Sequence, residues 1–104
     1  MNFTSYQALA RTTAMYPENA KIIYPCLGLA GEVGEVCEKV KKHIRDNTPL
    51  DKEDLKKELG DVLWYLSTLA GDLDITLDDI AYTNYQKLKS RQERGVLGGS
   101  GDNR

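Results

Sequence analysis

Four carboxylates form two matching pairs in this sequence. Glu32 and Glu35 are separated by three positions, and Glu58 and Asp61 repeat that spacing further along the chain. Residues three apart lie on the same face of an α-helix, so each pair would project both carboxylates to one side. Carboxylates that converge repel one another, and they either take up protons or bind a cation. The pattern therefore directs attention to cation chemistry and to the helices that would hold it.

An apolar stripe accompanies each acidic pair, with the spacing of three and four that is typical of an amphipathic helix. The two stripes align position by position, and Gly34 aligns with Gly60. We expect the two helices to pack antiparallel with the stripes facing each other, which would bring all four carboxylates to one side. The aligned stripe residues are Leu29, Val33, Val36, Cys37 and Val40 in the first helix, and Leu55, Leu59, Val62, Leu63 and Leu66 in the second.

An all-oxygen set of ligands suits Mg²⁺ or Mn²⁺. The single histidine, His43, lies near the end of its helix and away from the acids, which disfavours zinc and redox iron. A solvated acidic face is the alternative, but two pairs in matching register favour metal binding. Lys39 is the one cation on this strip, and it either pairs with Glu35 at i,i+4, which the spacing favours, or contacts a substrate.

Glycines interrupt both acidic helices, although an interior glycine destabilises a helix by about 1 kcal/mol relative to alanine. Gly28, Gly31, Gly34 and Gly60 all flank the carboxylates. We expect them to leave room for a close backbone approach or for a bound ligand.

Helical periodicity also dominates the rest of the chain, and the fold class that we predict is all-α: an antiparallel bundle of about four helices. The short run 21–24 is the best candidate for a strand, and Pro25 ends it. The predicted helices run from a cap at Thr4 or Ser5 to about Met15, from about Pro25 to Arg45, from a cap at Asp51 to about Leu73, and from a cap at Thr76 to about Arg94.

Residues 1–94 are thus predicted to form a single domain, and the glycine-rich residues 95–104 a tail that is mobile unless a partner chain holds it. The third helix is apolar on more than one side, because Trp64 lies almost opposite Leu59. Its second apolar face indicates further neighbours in the chain or a dimer interface.

Three polar residues of the fourth helix allow two interpretations of their role. Asn84 lies within the apolar stripe, and Lys87 and Arg91 lie at its edge. They are either donors for phosphate oxygens or a polar edge with an asparagine bonded to backbone, and spacing alone does not separate these. Tyr65 lies on the acidic strip, where it could stack on a base or pack as an ordinary half-exposed side chain.

Composition excludes several classes of protein. The net charge is −2, from 14 basic and 16 acidic residues, and no basic run suits a nucleic-acid duplex. No apolar run approaches the roughly 20 residues of a membrane span. The N-terminal residues lack the pattern of a signal peptide, so we expect a cytoplasmic protein.

Residues 31–35, Gly-Glu-Val-Gly-Glu, and 58–66, Glu-Leu-Gly-Asp-Val-Leu-Trp-Tyr-Leu, resemble the MazG-like nucleoside triphosphate pyrophosphohydrolases of the all-α NTP pyrophosphatase superfamily. Residues 84–91, Asn-Tyr-Gln-Lys-Leu-Lys-Ser-Arg, are similar to the motif that follows the acidic helices in that family. The resemblance covers about residues 25–94. It implies an enzyme that cleaves NTPs or dNTPs between the α- and β-phosphates, giving a monophosphate and pyrophosphate.

The resemblance also implies roles for individual residues. Glu32, Glu35, Glu58 and Asp61 would hold one or more Mg²⁺ ions, and Glu35 or else Glu32 would activate the attacking water. Family members form dimers or dimers of dimers, so a homodimer or homotetramer is implied. Two alternatives stay open: a non-catalytic helical dimerisation or metal-binding module, and a phosphoribosyl-ATP pyrophosphohydrolase. The implied contacts to substrate are Asn84, Lys87 and Arg91 at phosphates or sugar, and Tyr65 near the nucleoside.

Overall fold

The computed structural model describes all 104 residues, and it contains four α-helices and no strand. This confirms the all-α prediction, and the run 21–24, the best candidate among weak strand signals, forms no strand. Ile22 takes a left-handed φ of 69° there, and the chain turns directly into the second helix. The helices are α1 (Phe3–Arg11), α2 (Ile23–Asp46), α3 (Lys52–Asp72) and α4 (Leu77–Glu93), with a 3₁₀ turn at Glu18–Ala20.

The first helix differs most from its predicted limits. Asn2, not Thr4 or Ser5, is its N-cap, because the Asn2 side chain accepts from the Ser5 amide at 2.8 Å and Ser5 Oγ accepts from the Asn2 amide at 3.0 Å. The helix ends at Arg11, before the predicted Met15. The hydroxyl groups of Thr12 and Thr13 donate to carbonyls one turn back and compete with helix continuation.

The predicted caps of the third and fourth helices are confirmed. The Asp51 carboxylate accepts from the amides of Glu53 and Asp54, and Thr76 Oγ1 accepts from the Asp79 amide at 3.1 Å. Each cap satisfies donors that the first turn of a helix leaves without partners. These caps place the starts of α3 and α4, and so the positions of the site residues along them.

The α2 and α3 helices pack antiparallel, as predicted. Gly28 lies under the Tyr65 ring, Glu32 approaches Asp61, and Lys39 pairs with Asp54. Residue numbers therefore fall along α2 as they rise along α3.

The expectation that the apolar stripes of α2 and α3 face each other is wrong for their central residues. Val33 and Leu59 are 45% and 56% exposed, and Cys37 is exposed as well. The helices meet instead along the side of α2 that carries Gly28, Glu32 and Lys39. The radius of gyration is 16.6 Å, against about 13 Å for a compact domain of this length, so the single chain leaves apolar surface uncovered.

The α1 helix packs on α3 and α4 through polar contacts. Gln7 Nε2 donates to the Ile75 carbonyl at 3.0 Å, and its Oε1 accepts from the Leu77 amide at 3.1 Å. Trp64 Nε1 donates to Thr13 Oγ1 at 2.7 Å, so the indole lies against the end of α1. No helix is both long enough and apolar enough to cross a membrane.

The Asp72 carboxylate, whose side chain is fully buried, joins the end of α3 to the segment before α2. It pairs with Arg11, accepts from Tyr16 Oη at 2.8 Å, and accepts from the Ile22 amide at 2.9 Å. Burial alone would raise the pKa of Asp72, but the three hydrogen bonds outweigh it and hold this pKa below its ordinary value. This network stabilises the turn at Ile22 from which α2 begins.

Candidate functional site

Three carboxylates converge between α2 and α3. Glu32 from α2, and Glu58 and Asp61 from α3, each offer a carboxylate oxygen, and these oxygens all lie within 4.8 Å of one another. The i,i+3 spacing places Glu58 and Asp61 on one face of α3, and the antiparallel neighbour contributes Glu32. Glu32 is half-buried and the Glu58 side chain is 19% exposed, so two of the three carboxylates are partly removed from water.

The electrostatics of this cluster favour cation binding. Burial raises the pKa of Glu32, and the nearby charges of Asp61, Glu58 and Glu35 raise it further. The neighbouring acids thus make Glu32 harder to ionise, which means that negative charge is in excess at the cluster. The donors are all carboxylate oxygens, which is the chemistry that a hard divalent cation prefers. The residues present therefore fit a Mg²⁺ or Mn²⁺ ion.

Glu35, the fourth predicted acid, lies outside the group of three. It is exposed, one turn beyond Glu32 on α2, and its charge still contributes to the raised pKa of Glu32. The structure thus places all four acids in one region but brings only three within mutual ligand distance. Glu35 is left with a carboxylate free to contact another group.

Lys39 does not pair with Glu35, and that favoured expectation is wrong. Its Nζ lies 2.7 Å from Asp54 and 3.7 Å from Glu58, both on α3. The reason is that α3 presents two carboxylates across the helix interface. The hydrogen bond to Asp54 raises the pKa of Lys39, and the charges of Glu58 and Glu35 add to this effect. Lys39 is therefore a cation held at the edge of the acidic cluster.

Tyr65 lies beside the acids within an aromatic cluster. Its ring contacts Trp64 edge-on, with centroids 5.0 Å apart, and lies 6.4 Å from the Tyr24 ring, which in turn stacks on Tyr16 at 5.0 Å. Burial raises the pKa of Tyr65, and the charges of Glu32 and Asp61 add to this, so the phenol is close to the acidic cluster.

Tyr16 and Tyr24 are neighbours of the site that sequence reasoning missed. One signal was present: Tyr24, Gly28 and Glu32 follow one another at intervals of four and so share a face of α2. Gly28 is the glycine with a clear steric role, because a Cβ there would overlap ring carbons of Tyr65. A Cβ at Gly31, Gly34 or Gly60 would meet open space.

The polar residues of α4 lie apart from this cluster in the single chain. Lys87 and Arg91 both bind Asp102 of the tail, and no ion pair connects them to the acids. Asn84 lines an open cavity together with Lys87 and Asp102. The structure therefore brings the α4 residues to one another but not to Glu32, Glu58 and Asp61.

Comparison with known proteins matches most of the chain to a family model. The model of the MazG nucleotide pyrophosphohydrolase domain matches residues 25–96, from the first turn of α2 to just beyond α4. The chain belongs to the MazG nucleotide pyrophosphohydrolase family. The resemblance inferred over about residues 25–94 is thereby confirmed. MazG domains are generally metal-dependent, and the matched region contains the acidic cluster.

A phage protein is similar to the chain along its whole given length. The chain is 44% identical, over 114 aligned positions that cover both proteins completely, to the Gene 37 protein of Mycobacterium phage L5. No solved structure matches the chain significantly. Tyr16 and Tyr24 precede the MazG match, so the stacked part of the aromatic cluster comes from outside the region that the domain model covers.

Proposed function

We propose that this chain is a Mg²⁺-dependent nucleoside triphosphate pyrophosphohydrolase that cleaves between the α- and β-phosphates and acts in the cytoplasm. The observation that carries the proposal is the convergence of Glu32, Glu58 and Asp61 from two helices of a MazG domain. Mn²⁺ is an alternative ion, since the same oxygen donors suit both.

The acids divide into two roles. Glu32, Glu58 and Asp61 would hold the cation, and Glu35 would reach the same ion or the water beside it. When bound, the cation supplies positive charge to the phosphate oxygens during cleavage. Glu35 is the more available base, because its carboxylate is exposed, lies outside the group of three and has no ion-pair partner, so it can orient a water and accept its proton. Glu32 is the second candidate for this proton.

The aromatic cluster and the α4 residues would bind the substrate. Tyr65 lies next to the acids and presents a ring on which a base can stack, with Tyr24 beside it. Lys87, Arg91 and Asn84 would contact phosphates or sugar, and Lys39 would contact a phosphate once a cation displaces it from Glu58.

A second copy of the chain would complete the assembly. The exposed stripe of Val33, Cys37 and Leu59 is the surface expected to be buried in a homodimer or homotetramer. In the single chain, the α4 cations lie apart from the acidic cluster. Packing of two copies would be a means of bringing the cations of one copy to the acids of the other.

The decisive experiment resolves the products of nucleotide turnover. The protein is incubated with a panel of NTPs, dNTPs and phosphoribosyl-ATP, with and without Mg²⁺, alongside Glu58→Gln and a matched control, Glu53→Gln, an exposed acid on the same helix. We expect monophosphate and pyrophosphate from the native chain and the control only, and only with Mg²⁺.

Each other result has a definite meaning. Diphosphate with phosphate would refute the cleavage position. Turnover of phosphoribosyl-ATP alone would show that the chain is a phosphoribosyl-ATP pyrophosphohydrolase. No turnover of any of these, with no added thermal stabilisation when Mg²⁺ and nucleotide are combined, would support the non-catalytic module.

A further inference from the structure

The C-terminal tail, residues 95–104, places a carboxylate on two cations of α4, Lys87 and Arg91. Asp102 Oδ1 lies 3.0 Å from Lys87 Nζ and 3.0 Å from Arg91 Nη2. Arg91 Nη2 also donates to the Asp102 carbonyl at 2.7 Å. The Arg91 residue is only 5% exposed, and its side-chain hydrogen bonds go to Gly101 and Asp102 of the tail.

The tail holds its shape through its own contacts. The Arg104 guanidinium donates to the carbonyls of Val96, Leu97 and Gly98 at 2.9–3.2 Å. Gly99 and Gly101 have φ values of 102° and 88°, which side-chain-bearing residues rarely adopt. The tail therefore forms a loop closed by Arg104 that presents Asp102 to α4.

Asp102 also forms part of the wall of an open cavity of about 490 Å³. Asn84 and Lys87 line the same cavity. Hydrogen bonds from Lys87 and Arg91 hold the pKa of Asp102 below its ordinary value, so this carboxylate is ionised at neutral pH. An anion that enters the cavity meets Lys87 already paired with a carboxylate of the chain itself.

Carboxylates and phosphates use the same donors, since both accept charge-assisted hydrogen bonds from lysine and arginine. Lys87 has no other ion-pair partner than Asp102. We propose that the tail is a built-in competitor of the anionic substrate: Asp102 occupies Lys87 and Arg91, and the phosphates of the ligand must displace it. The inference rests on the phosphate-binding role that the proposed function assigns to these two cations.

The expected effect is moderate. The Lys87 and Asp102 side chains are 37% and 78% exposed, and ion pairs between exposed side chains are individually weak. A site that is open for only a fraction of the time has an apparent Kd raised by the reciprocal of that fraction. Removing the competing charge should therefore tighten anion binding by about threefold to tenfold.

The test measures binding without turnover. Inorganic pyrophosphate is titrated, in the absence of metal, into the full chain and into Asp102→Asn, Arg104→Gln and a matched control, Glu93→Gln. We expect Asp102→Asn to lower the Kd by threefold to tenfold, and Arg104→Gln to lower it as well because the loop opens. Glu93 makes no ion pair and should leave the Kd unchanged, although its substitution alters the net charge equally.

The sign of the effect separates competition from a structural role. If Asp102 only stabilised the end of α4, its removal would weaken pyrophosphate binding, and that result, or an unchanged Kd, would overturn the proposal. In the native chain, pyrophosphate should also shift the backbone amide resonances of Gly101 and Asp102, and their failure to move would equally count against displacement of the tail.

Failure of this inference is distinguishable from failure of the proposed function. Nucleotide hydrolysis with an unaltered Kd in Asp102→Asn would refute the competing tail and leave the enzyme intact. Tighter pyrophosphate binding in that variant without hydrolysis of any nucleotide would support the competing tail and refute the activity.

Discussion

Replacing Gly28 with alanine should destabilise the protein or leave it unchanged, whereas the same change at Gly31 should stabilise it. Both glycines lie inside α2, and in both cases alanine gains about 0.5–1 kcal/mol of helix stability. Their surroundings differ. A Cβ on Gly28 would overlap three ring carbons of Tyr65, and a Cβ on Gly31 would meet no atom within 4 Å.

The size of the difference follows from how tightly the Tyr65 ring is held. Trp64 contacts it edge-on at 5.0 Å, and Tyr24 lies on another side at 6.4 Å, so the ring moves only if its neighbours also move. Such overpacking typically destabilises by about 1–3 kcal/mol. Offset by the helix gain, Gly28→Ala should range from neutral to about 2.5 kcal/mol less stable. Gly31→Ala should be about 0.5–1 kcal/mol more stable.

Urea unfolding, followed by the fluorescence of Trp64 at a fixed protein concentration, measures both variants. Trp64 is the single tryptophan and lies against Tyr65, so its emission also reports a displaced ring in the folded state. Gly34→Ala, whose Cβ meets open space as well, serves as a second control. Equal stabilisation of all three variants would refute the placement of Tyr65 over Gly28. A destabilised Gly31→Ala would show that another surface covers that position.

Three further predictions concern charge. Asp72→Asn should destabilise the protein by about 2–3 kcal/mol at pH 7, which is less than for a fully buried pair because Arg11 is 41% exposed. The difference in stability between the native chain and this variant should shrink as the pH falls through the lowered pKa of Asp72. Glu32→Gln should stabilise the metal-free protein at pH 7.5 and have little effect at pH 4, because a raised carboxyl pKa gives stability at low pH that is lost as the pH rises through it. Lys39→Gln should lower the Mg²⁺ concentration for half-saturation by about twofold to fivefold, because its ammonium competes at Glu58.

The measurements are unfolding curves across pH for the first two variants, with chelator present for Glu32→Gln, and Mg²⁺ titration for the third. Glu53→Gln is the shared control, since its partner Lys56 and its own side chain are largely exposed. An Asp72→Asn deficit that is independent of pH would argue against the ionised network. A metal-free protein destabilised by Glu32→Gln would argue against repulsion in the cluster. Weaker Mg²⁺ binding in Lys39→Gln would show that Lys39 favours cation binding and does not compete with it.

Local features were readable from the sequence because they depend on near neighbours along the chain. Helical periodicity identified four helices, and the caps at Asp51 and Thr76 follow from side chains that bond amides two or three residues on. The acidic pairs could be grouped because i,i+3 spacing fixes a helix face whatever the tertiary fold. The predicted start of α1 was wrong because Thr4 and Ser5 are also good capping residues. The actual N-cap is Asn2, which forms a reciprocal pair of hydrogen bonds with Ser5.

The tertiary structure decided which faces meet and which distant groups become partners. Periodicity marks an apolar stripe, but it does not state whether the stripe faces α3 or a surface beyond the chain, and here Val33 and Leu59 remain exposed. Lys39 had a carboxylate one turn away in sequence, yet the antiparallel register offers it Asp54 across the interface. The return of Asp102 to Lys87 likewise depends on loop geometry. Spacing along one helix fixes direction around its axis, while contacts between helices depend on register and approach, which only packing determines.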